Sequence, residues 1–256
     1  MIGLCAAAIA AVMVLTWLVS LIMRDASIVD IVWGLNFVVV ATVAYAFGDG
    51  LPARSGLLLV LVGIWGLRLS GYLARRNLGH GEDFRYQAMR KKYGARFGLI
   101  SLGVVFGLQG LLAWVVSLPV QLAATTDRPD HLGLLAAVGV VVWAVGLTFE
   151  AVGDAQLARF KRDPTSKGQV MDQGLWRYTR HPNYFGDFCI WWGVFLVAAE
   201  TTDARWGVVG PLLMSFLLLR VSGVTLLEKT ITTRRPGYAD YAARTSAFFP
   251  RPPKPA

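Results

Sequence analysis

The polar segment GLWRYTRHPNYFGD (residues 174–187) runs directly into the apolar segment FCIWWGVFLVAAE (residues 188–200). Proline is tolerated in the first turn of a helix, so we predict a helix that begins at Pro182, with Asn183 just inside it. The basic side chains of the segment would then cluster at a helix N-terminus, where backbone N–H groups and the helix dipole favour an anion. This junction therefore predicts a membrane helix that begins at a ligand site.

An ordinary cytoplasmic flank of a membrane span is another interpretation of the same segment. Such flanks are rich in Arg because of membrane topology, and they carry Trp and Tyr as interface anchors. That interpretation gives no reason for Asn183, Gly186 and Asp187 to follow the proline. We therefore favour the ligand site.

The composition is that of a polytopic membrane protein. Of the 256 residues, 55% are hydrophobic and 16% are charged, and the mean hydropathy is +0.51. The formal net charge of +9 falls in basic blocks between apolar spans, without an aromatic-basic module for DNA or RNA, so we expect no nucleic-acid partner. Cys5 and Cys189 lie in apolar spans without metal-ligand or disulfide spacing, and we predict neither kind of site.

Seven apolar spans can be drawn, at residues 2–23, 28–48, 55–74, 99–124, 131–152, 184–200 and 207–228. The first lacks a basic n-region and a cleavage site, so we predict that it is retained and not removed as a signal peptide. A polar, charged loop (residues 79–96) follows the third span, and a basic tail follows the seventh. We predict an all-α polytopic membrane bundle of about seven transmembrane helices. It would form one integral membrane domain over residues 1–256, with the site motifs in the C-terminal half, residues 131–250.

The Lys and Arg residues predict the orientation of these spans. Three of the 25, Arg54, Arg128 and Arg205, would lie on one side of the membrane, and the remaining 22 would lie on the other. The positive-inside rule then places the N-terminus outside and the C-terminus in the cytoplasm.

Ionisable side chains near the cytoplasmic ends of the spans are costly in lipid, so they are candidates for function. They are Asp30 in the second span, Arg68 in the third, Glu150 and Asp154 on one face of the fifth, and Arg220 and Glu228 in the seventh. An interfacial position for Asp30, or snorkelling of Arg68 to the interface, would explain these two without a ligand. Carboxylates as close as Glu150 and Asp154 repel each other, so we expect a cationic or hydrogen-bonding partner between them.

These side chains would form one site if the cytoplasmic ends of the spans converge. Its mouth would be basic, which suits phosphates, and its interior would be apolar, which suits a lipid-like substrate entering from the bilayer. Glu82, Asp83, Arg85 and Tyr86 in the loop after the third span would either cap this mouth or be solvated.

Several segments outside residues 174–187 share a family pattern. They are DAQL (residues 154–157), PGYADY (236–241), WGLR (65–68) with Tyr72, RN (76–77) and GEDFRY (81–86). On these segments the chain resembles the membrane-embedded steroid 5-alpha-reductase-like family, and in particular its bacterial branch. The likeness covers most of the chain and is more specific in the C-terminal half.

The resemblance implies a seven-helix bundle that uses NADPH to reduce a carbon–carbon double bond conjugated to a carbonyl, in a steroid, sterol, isoprenoid or other lipid-like substrate. Its cofactor residues would map to Arg68, Tyr72, Asp154, Lys161, Arg180, His181, Asn183, Tyr184, Asp187 and Arg220. Basic side chains and the helix N-terminus would hold the phosphates, and Asn183, Tyr184 and Asp187 would lie deeper, beside the ribose and nicotinamide. The bacterial branch also implies the bacterial inner (plasma) membrane, contact with membrane lipids, and a cofactor site that faces the cytoplasm.

At its substrate end this family uses an acidic residue and a tyrosine, which hydrogen-bond the carbonyl oxygen and stabilise the enolate. By position Asp30 would be the acid, a protonated or shared-proton carboxyl in an apolar site. Trp65 stands at the expected tyrosine position, Asp187 replaces a usual glutamate, and Glu228 stands where another tyrosine is expected. We predict Asp30, Trp65 and Asp187 as catalytic residues, although a tryptophan donates one N–H and cannot relay a proton.

Two other functions fit parts of the same pattern. The RHPNY element (residues 180–184) and its following Gly are similar to an element of S-adenosylmethionine-dependent membrane methyltransferases of the isoprenylcysteine carboxyl type. The continuation to Asp187 and the upstream Asp154 fit the reductase pattern better. A non-catalytic lipid-binding or scaffolding membrane protein would bind no nucleotide despite its basic mouth.

Overall fold

The computed structural model describes residues 1–221 and 236–254, and every regular element within those ranges is helical. The α-helices are α1 (Ile2–Met23), α2 (Ile28–Phe47), α3 (Pro52–Asn77), α4 (Phe84–Tyr93), α5 (Phe97–Ser101), α6 (Leu108–Val116), α7 (Leu118–Ala123), α8 (Leu134–Arg162), α9 (Pro182–Ala198), α10 (Val209–Phe216) and α11 (Tyr238–Arg244). Two π-helical turns, Leu102–Gly107 and Leu217–Val221, join α5 to α6 and extend α10. Short 3-10 turns include Gly174–Arg177 before α9 and Asp203–Val208 before α10.

Six helical segments of the described chain are long and apolar enough to cross a membrane. They are Ile2–Met23, Ile28–Phe47, Pro52–Asn77, Phe84–Val116, Leu134–Arg162 and Asp203–Val221. The predicted polytopic helical bundle is therefore confirmed. α9 has 17 residues, at the short end of what spans a bilayer, and the predicted orientation stays a prediction.

Three predicted stretches differ from the structure. The polar loop over residues 79–96 contains α4, whose N-cap Asp83 accepts a hydrogen bond from the Arg85 amide. The fourth span is not one continuous helix, because a π turn interrupts it and α7 begins anew with Pro119 in its first turn. The basic tail contains α11. The seventh predicted span is described only as far as Val221, and residues 222–235 lie outside the described ranges.

The described residues cluster into two compact units. The first comprises Met1–Ala136 and Val194–Gly210, and the second comprises Ala137–Gly193 and Pro211–Ala256. The prediction that the whole chain folds as one domain stays a prediction.

In the first unit, α2 and α3 cross where two glycines meet. A Cβ atom on Gly34 would lie 2.5 Å from the carbonyl oxygen of Gly66, so the two backbones are in direct contact. The aromatic rings of Trp33, Phe37 and Trp65 pack edge to face beside this crossing, with centroids 5.3 and 5.4 Å apart. Trp65 and Phe37 are among the most deeply buried side chains of the protein, so they belong to the core of this unit.

The first unit also holds a buried charged pair. Arg54, at the start of α3, is fully buried and donates from Nη2 to the carbonyl oxygen of Pro129 at 2.7 Å, with its Nε 4.0 Å from Glu200 Oε2. Glu200 Oε1 accepts from the amides of Gly133 and Ala136, at 2.7 and 3.0 Å. The carboxylate therefore satisfies free N–H groups at the start of α8 while it faces the buried arginine.

In the second unit, α8 and α9 approach each other through glycines that recur every seven residues. They stand at 139, 146 and 153 on α8 and at 186 and 193 on α9. A Cβ atom on Gly146 would lie 2.6 Å from Gly186 O, and one on Gly193 would lie 2.6 Å from Gly139 O. Small residues allow this backbone contact, as in many helix pairs of membrane proteins. The contact sets the register of α9 against α8.

We expect Gly146→Ala to destabilise the protein by about 1–3 kcal/mol, because the added methyl group overlaps the α9 backbone and the helices must separate. Thermal unfolding of the detergent-solubilised protein measures this. Gly63→Ala is the matched control, since a Cβ on this α3 glycine meets nothing within 4 Å. Its expected effect is zero or a gain of up to about 1 kcal/mol from helix propensity. Equal midpoints for the two variants would contradict the packing described here.

Candidate functional site

The candidate site lies in the second unit, where the polar segment 174–187 meets the start of α9. Pro182 occupies the first helical position, as predicted. The buried His181 ring stacks parallel on Tyr184, with centroids 5.4 Å apart, and the His181 carbonyl accepts the Phe185 amide at 3.0 Å. The Tyr184 amide donates a hydrogen bond to Asn183 Oδ1 at 3.1 Å. The first turn of α9 therefore presents a fixed cluster of polar and aromatic side chains.

The predicted acid and amide residues of this cluster come together. Asn183 donates from Nδ2 to Asp154 Oδ1 at 3.4 Å, and a partner that bridges Asp154 and Glu150 stays a prediction. Asp154 and Glu150 are both buried, at 5% and 4% exposure. Asp187 lies one turn after Asn183 on the same face of α9 and is half-buried. Four polar side chains therefore lie along the facing sides of α8 and α9: Glu150 and Asp154 on α8, and Asn183 and Asp187 on α9.

Two contacts attach the segment before α9 to α8. Gln156 Oε1 accepts the Leu175 amide at 3.0 Å, and the Trp176 indole donates to Gly153 O at 3.0 Å. Gly174 has a positive φ of 58°, and a Cβ there would meet the Gln156 amide at 2.3–2.7 Å. Glycine is therefore required where the segment passes the Gln156 side chain.

The basic residues predicted to hold phosphates have different environments. Arg180 Nη1 donates to the carbonyl oxygens of Ala242 and Thr245, at 2.8 and 2.7 Å, so its guanidinium caps the C-terminal end of α11. Lys161 in the last turn of α8 and Arg220 in a π-helical turn are both exposed. Arg180 is half-buried, and the prediction that any of these three cations holds a phosphate stays a prediction.

The first unit contains the other predicted residues. Asp30 receives two hydrogen bonds from α4: Arg85 Nη2 donates to Oδ2 at 2.6 Å, and the Tyr86 hydroxyl donates to Oδ1 at 2.7 Å. Gln109 Nε2 in turn donates to the Tyr86 oxygen at 3.1 Å. Asp30 thus lies in a polar cluster and not in the apolar site that the resemblance implied. Tyr86 itself is 5% exposed, so its hydroxyl is held in a buried place.

Three of the predicted residues lie on α3, in the half of the helix toward its C-terminal end. Trp65 is completely buried and packs against Phe37 in the core of the first unit. Arg68 and Tyr72, four residues apart on one face, are half-buried, and the Arg76 guanidinium lies 5.9 Å from the Tyr72 ring centroid. Glu228 lies outside the described residues.

A second polar cluster attaches the segment before α4 to the turn between α1 and α2. Arg90 donates from Nε to Glu82 Oε2 at 2.9 Å and from Nη2 to Oε1 at 2.8 Å, while Oε1 also accepts the Ala26 amide at 2.8 Å. Burial by itself would raise the pKa of the Glu82 carboxyl, but the bonds from Arg90 and Ala26 outweigh burial and hold the pKa below its usual value. These contacts show that Glu82 is held within the protein, and the prediction that this loop caps the mouth of the site stays a prediction.

Several residues of these clusters were not singled out for these roles from the sequence. They are Gln109, Gln156, Thr179 and Phe248, together with Tyr86 as the partner of Asp30. Tyr86 stands in the GEDFRY segment, which is one of the segments that carry the resemblance. Its pairing with Asp30, 56 positions earlier, has no local sequence signal. Gln156 stands in the DAQL segment, which carries the resemblance, whereas Gln109 is a single polar residue in an apolar stretch.

Comparisons with known proteins place the chain in a family. The sequence model of the family described as "Protein of unknown function (DUF1295)" matches residues 16–245. The chain belongs to this family. The DUF1295 match includes α2, α3, α8 and α9, and with them every predicted site residue.

Two curated proteins are similar to this DUF1295 chain. An uncharacterised protein of Schizosaccharomyces pombe is 23% identical over 266 residues, which cover 92% of this chain and 75% of that protein. The probable O-methyltransferase ustE of Ustilaginoidea virens is 42% identical over 55 residues, which are 22% of this chain and 19% of its own length. The chain therefore matches about a fifth of that second relative. No solved structure was found to match the chain.

The Glu82 cluster predicts a pH dependence of stability. Because the pKa of Glu82 is lower in the folded protein than its unfolded value of about 4.3, its contribution is present above that pH and is lost as the pH falls through the folded pKa. We therefore expect Glu82→Gln to lower the thermal midpoint near neutral pH, and the difference from the unsubstituted protein to shrink below about pH 4. The same substitution in an Arg90→Gln background should show a smaller pH dependence, because the main partner is gone. A difference that is constant from pH 7 to pH 4 would contradict this assignment.

Proposed function

We propose that this DUF1295 protein is a membrane-embedded, NADPH-dependent reductase of a carbon–carbon double bond conjugated to a carbonyl in a lipid-like substrate. The observation that carries the proposal is the hydrogen bond between Asp154, which is buried, and Asn183, at the start of α9 and within the segments that resemble the reductase-like family. Polar groups at depth in membrane helices are costly and commonly mark ligand sites. We also propose that the protein lies in a bacterial inner membrane with this site facing the cytoplasm.

The donors and acceptors of this cluster fit a dinucleotide. Carboxylates such as Asp154 and Asp187 accept hydrogen bonds from ribose hydroxyls, and the Asn183 amide can both donate to and accept from a carboxamide. The exposed Lys161 and Arg220 and the N-terminal end of α9 offer positive charge for phosphates. NADPH would supply the hydride, so the task of these residues is to hold and orient the nucleotide and to exclude water.

For the substrate carbonyl we keep Asp30 as the acid of the reductase-like family and propose Tyr86 as an alternative to Trp65 for the hydrogen-bond donor. The assignment is supported by the 2.7 Å hydrogen bond between Tyr86 and Asp30 and by the burial of Tyr86. The single Tyr86 O–H is donated to Asp30, so in the reaction it would have to turn from Asp30 to the carbonyl oxygen on which negative charge develops. Gln109, bonded to the Tyr86 oxygen, would orient that hydroxyl.

One specific observation supports a second candidate, an S-adenosylmethionine-dependent methyltransferase. The 55-residue likeness at 42% identity is to a probable O-methyltransferase, and the RHPNY element of this chain is similar to one in the isoprenylcysteine carboxyl type. The buried carboxylates of Glu150 and Asp154 would attract the positively charged sulfonium of that cofactor. The two candidates therefore share one site and differ in which nucleotide it binds.

The nucleotide assignment predicts that Asn183→Ala and Asp187→Ala each abolish NADPH binding while the protein is still expressed and folded. The reason is that each substitution removes a polar contact to the nucleotide and leaves the glycine packing of α8 and α9 intact. Titration with NADPH, followed by fluorescence or calorimetry, measures this. Asp172→Ala is the control, because it removes an exposed carboxylate from the loop before α9. Unchanged NADPH affinity in both site variants would refute the assignment.

The Tyr86 assignment predicts a loss of turnover without a loss of nucleotide. Tyr86→Phe should lower kcat with an enone lipid by about 10²–10³-fold, the usual effect of removing one donor to a developing oxyanion, with NADPH affinity unchanged. Consumption of NADPH with a panel of steroidal and long-chain enones measures the rate. Tyr93→Phe, at the other end of α4, is the control and should keep full turnover. Equal rates for Tyr86→Phe and the control would remove Tyr86 from the reaction.

A further inference from the structure

The C-terminal residues of the described chain make contacts that the proposed function does not use. We call residues 245–251, which follow α11, the C-terminal clasp. The Arg180 amide donates to Ser246 O at 2.9 Å, and the Arg251 amide donates to Tyr178 O at 2.9 Å. These two main-chain bonds run in opposite directions between the clasp and the segment before α9. They satisfy backbone groups of a segment that is not helical at this point.

Thr179 lies between these two bonds and is completely buried. Its hydroxyl donates to Phe248 O at 2.8 Å and accepts the His181 amide at 3.3 Å. One hydroxyl therefore connects the clasp to the residue immediately before the first turn of α9. A side chain of the same shape without the hydroxyl would leave both buried partners unsatisfied.

The side chains of the clasp continue this contact along α9. Phe248 and Phe249 pack against Phe185 and Phe188, with ring centroids 5.6–6.1 Å apart and the ring planes close to perpendicular. Phe185 and Phe188 flank Asp187 in the sequence, so the clasp touches the same turn that carries the candidate nucleotide contacts. α11 is held to the same segment, because Arg180 caps its end and the Tyr241 hydroxyl donates to Trp176 O.

We propose that the C-terminal clasp is a positioning element, which fixes the conformation of residues 178–185 and thereby sets the affinity of the α9 site for its nucleotide. The inference rests on the proposed function for the identity of the ligand. The contacts of the clasp are observed independently of that function. Thr179 and Phe248 are its positioning residues, since they act through the backbone of the segment and through the aromatic rings beside Asp187.

The test compares Thr179→Val with Thr179→Ser in the full-length, detergent-solubilised protein. Valine keeps the shape and removes the hydroxyl, whereas serine keeps the hydroxyl. We expect Thr179→Val to weaken NADPH binding by at least about tenfold, the scale of one lost buried hydrogen bond, and Thr179→Ser to restore most of the affinity. Phe248→Ala should behave like Thr179→Val, and Phe248→Leu should lie closer to the unsubstituted protein.

Hydrogen–deuterium exchange provides a readout that needs no ligand. The amides of residues 178–185 and Arg251 should exchange at least about tenfold faster in Thr179→Val and Phe248→Ala, while those of α2 in the first unit keep their rates. Acceleration throughout the protein, unchanged local rates, or faster local exchange with unchanged NADPH affinity would each overturn the inference. If the unsubstituted protein binds neither NADPH nor S-adenosylmethionine, the proposed function fails. The local exchange rates then still decide whether the clasp holds the segment.

Discussion

The backbone contact between Gly146 of α8 and Gly186 of α9 is the constraint on which the second unit depends. The two helices meet so closely that a methyl group on either glycine would overlap the other backbone. Because α9 is only 17 residues long, this contact also fixes where its polar first turn lies along α8. In this register Asn183 lies within hydrogen-bond distance of Asp154.

Charged residues in this protein do more than define membrane topology. Arg54 and Glu200 form a buried pair that also satisfies the start of α8, and Asp30 is held by Arg85 and Tyr86 of α4. A charged group inside an apolar helix bundle is costly where water does not reach it, so it needs a polar or charged partner. A basic or acidic residue near the end of a span therefore has to be judged by its partner before a ligand is assigned to it. Arg180, which caps α11, shows this most clearly.

Features that depend on local sequence were predictable, and those that depend on distant pairing were not. The start of α9 at Pro182 follows from proline geometry and the polytopic helical character from hydropathy, and the structure confirms both, with six span-length apolar helices in the described residues. The seven-residue spacing of glycines in α8 and α9 was readable but was not used, although it predicts the helix contact. The clasp could not be predicted, since Thr179 bonds to a main-chain oxygen 69 residues away and any residue type supplies such an oxygen. The hydrogen bond between Tyr86 and Asp30 could not be predicted for the same reason, because it becomes evident only when α4 is placed.

The central claim is tested most directly by asking whether a nucleotide co-purifies with the protein, and which one. The detergent-solubilised protein, purified from its expression host and denatured, would release a tightly held cofactor into the supernatant for mass spectrometry. The reductase proposal predicts NADPH or NADP⁺ in an amount close to one per chain. S-adenosylmethionine, or its demethylated product, at that stoichiometry would contradict the proposal and assign the polar cluster of α8 and α9 to methyl transfer.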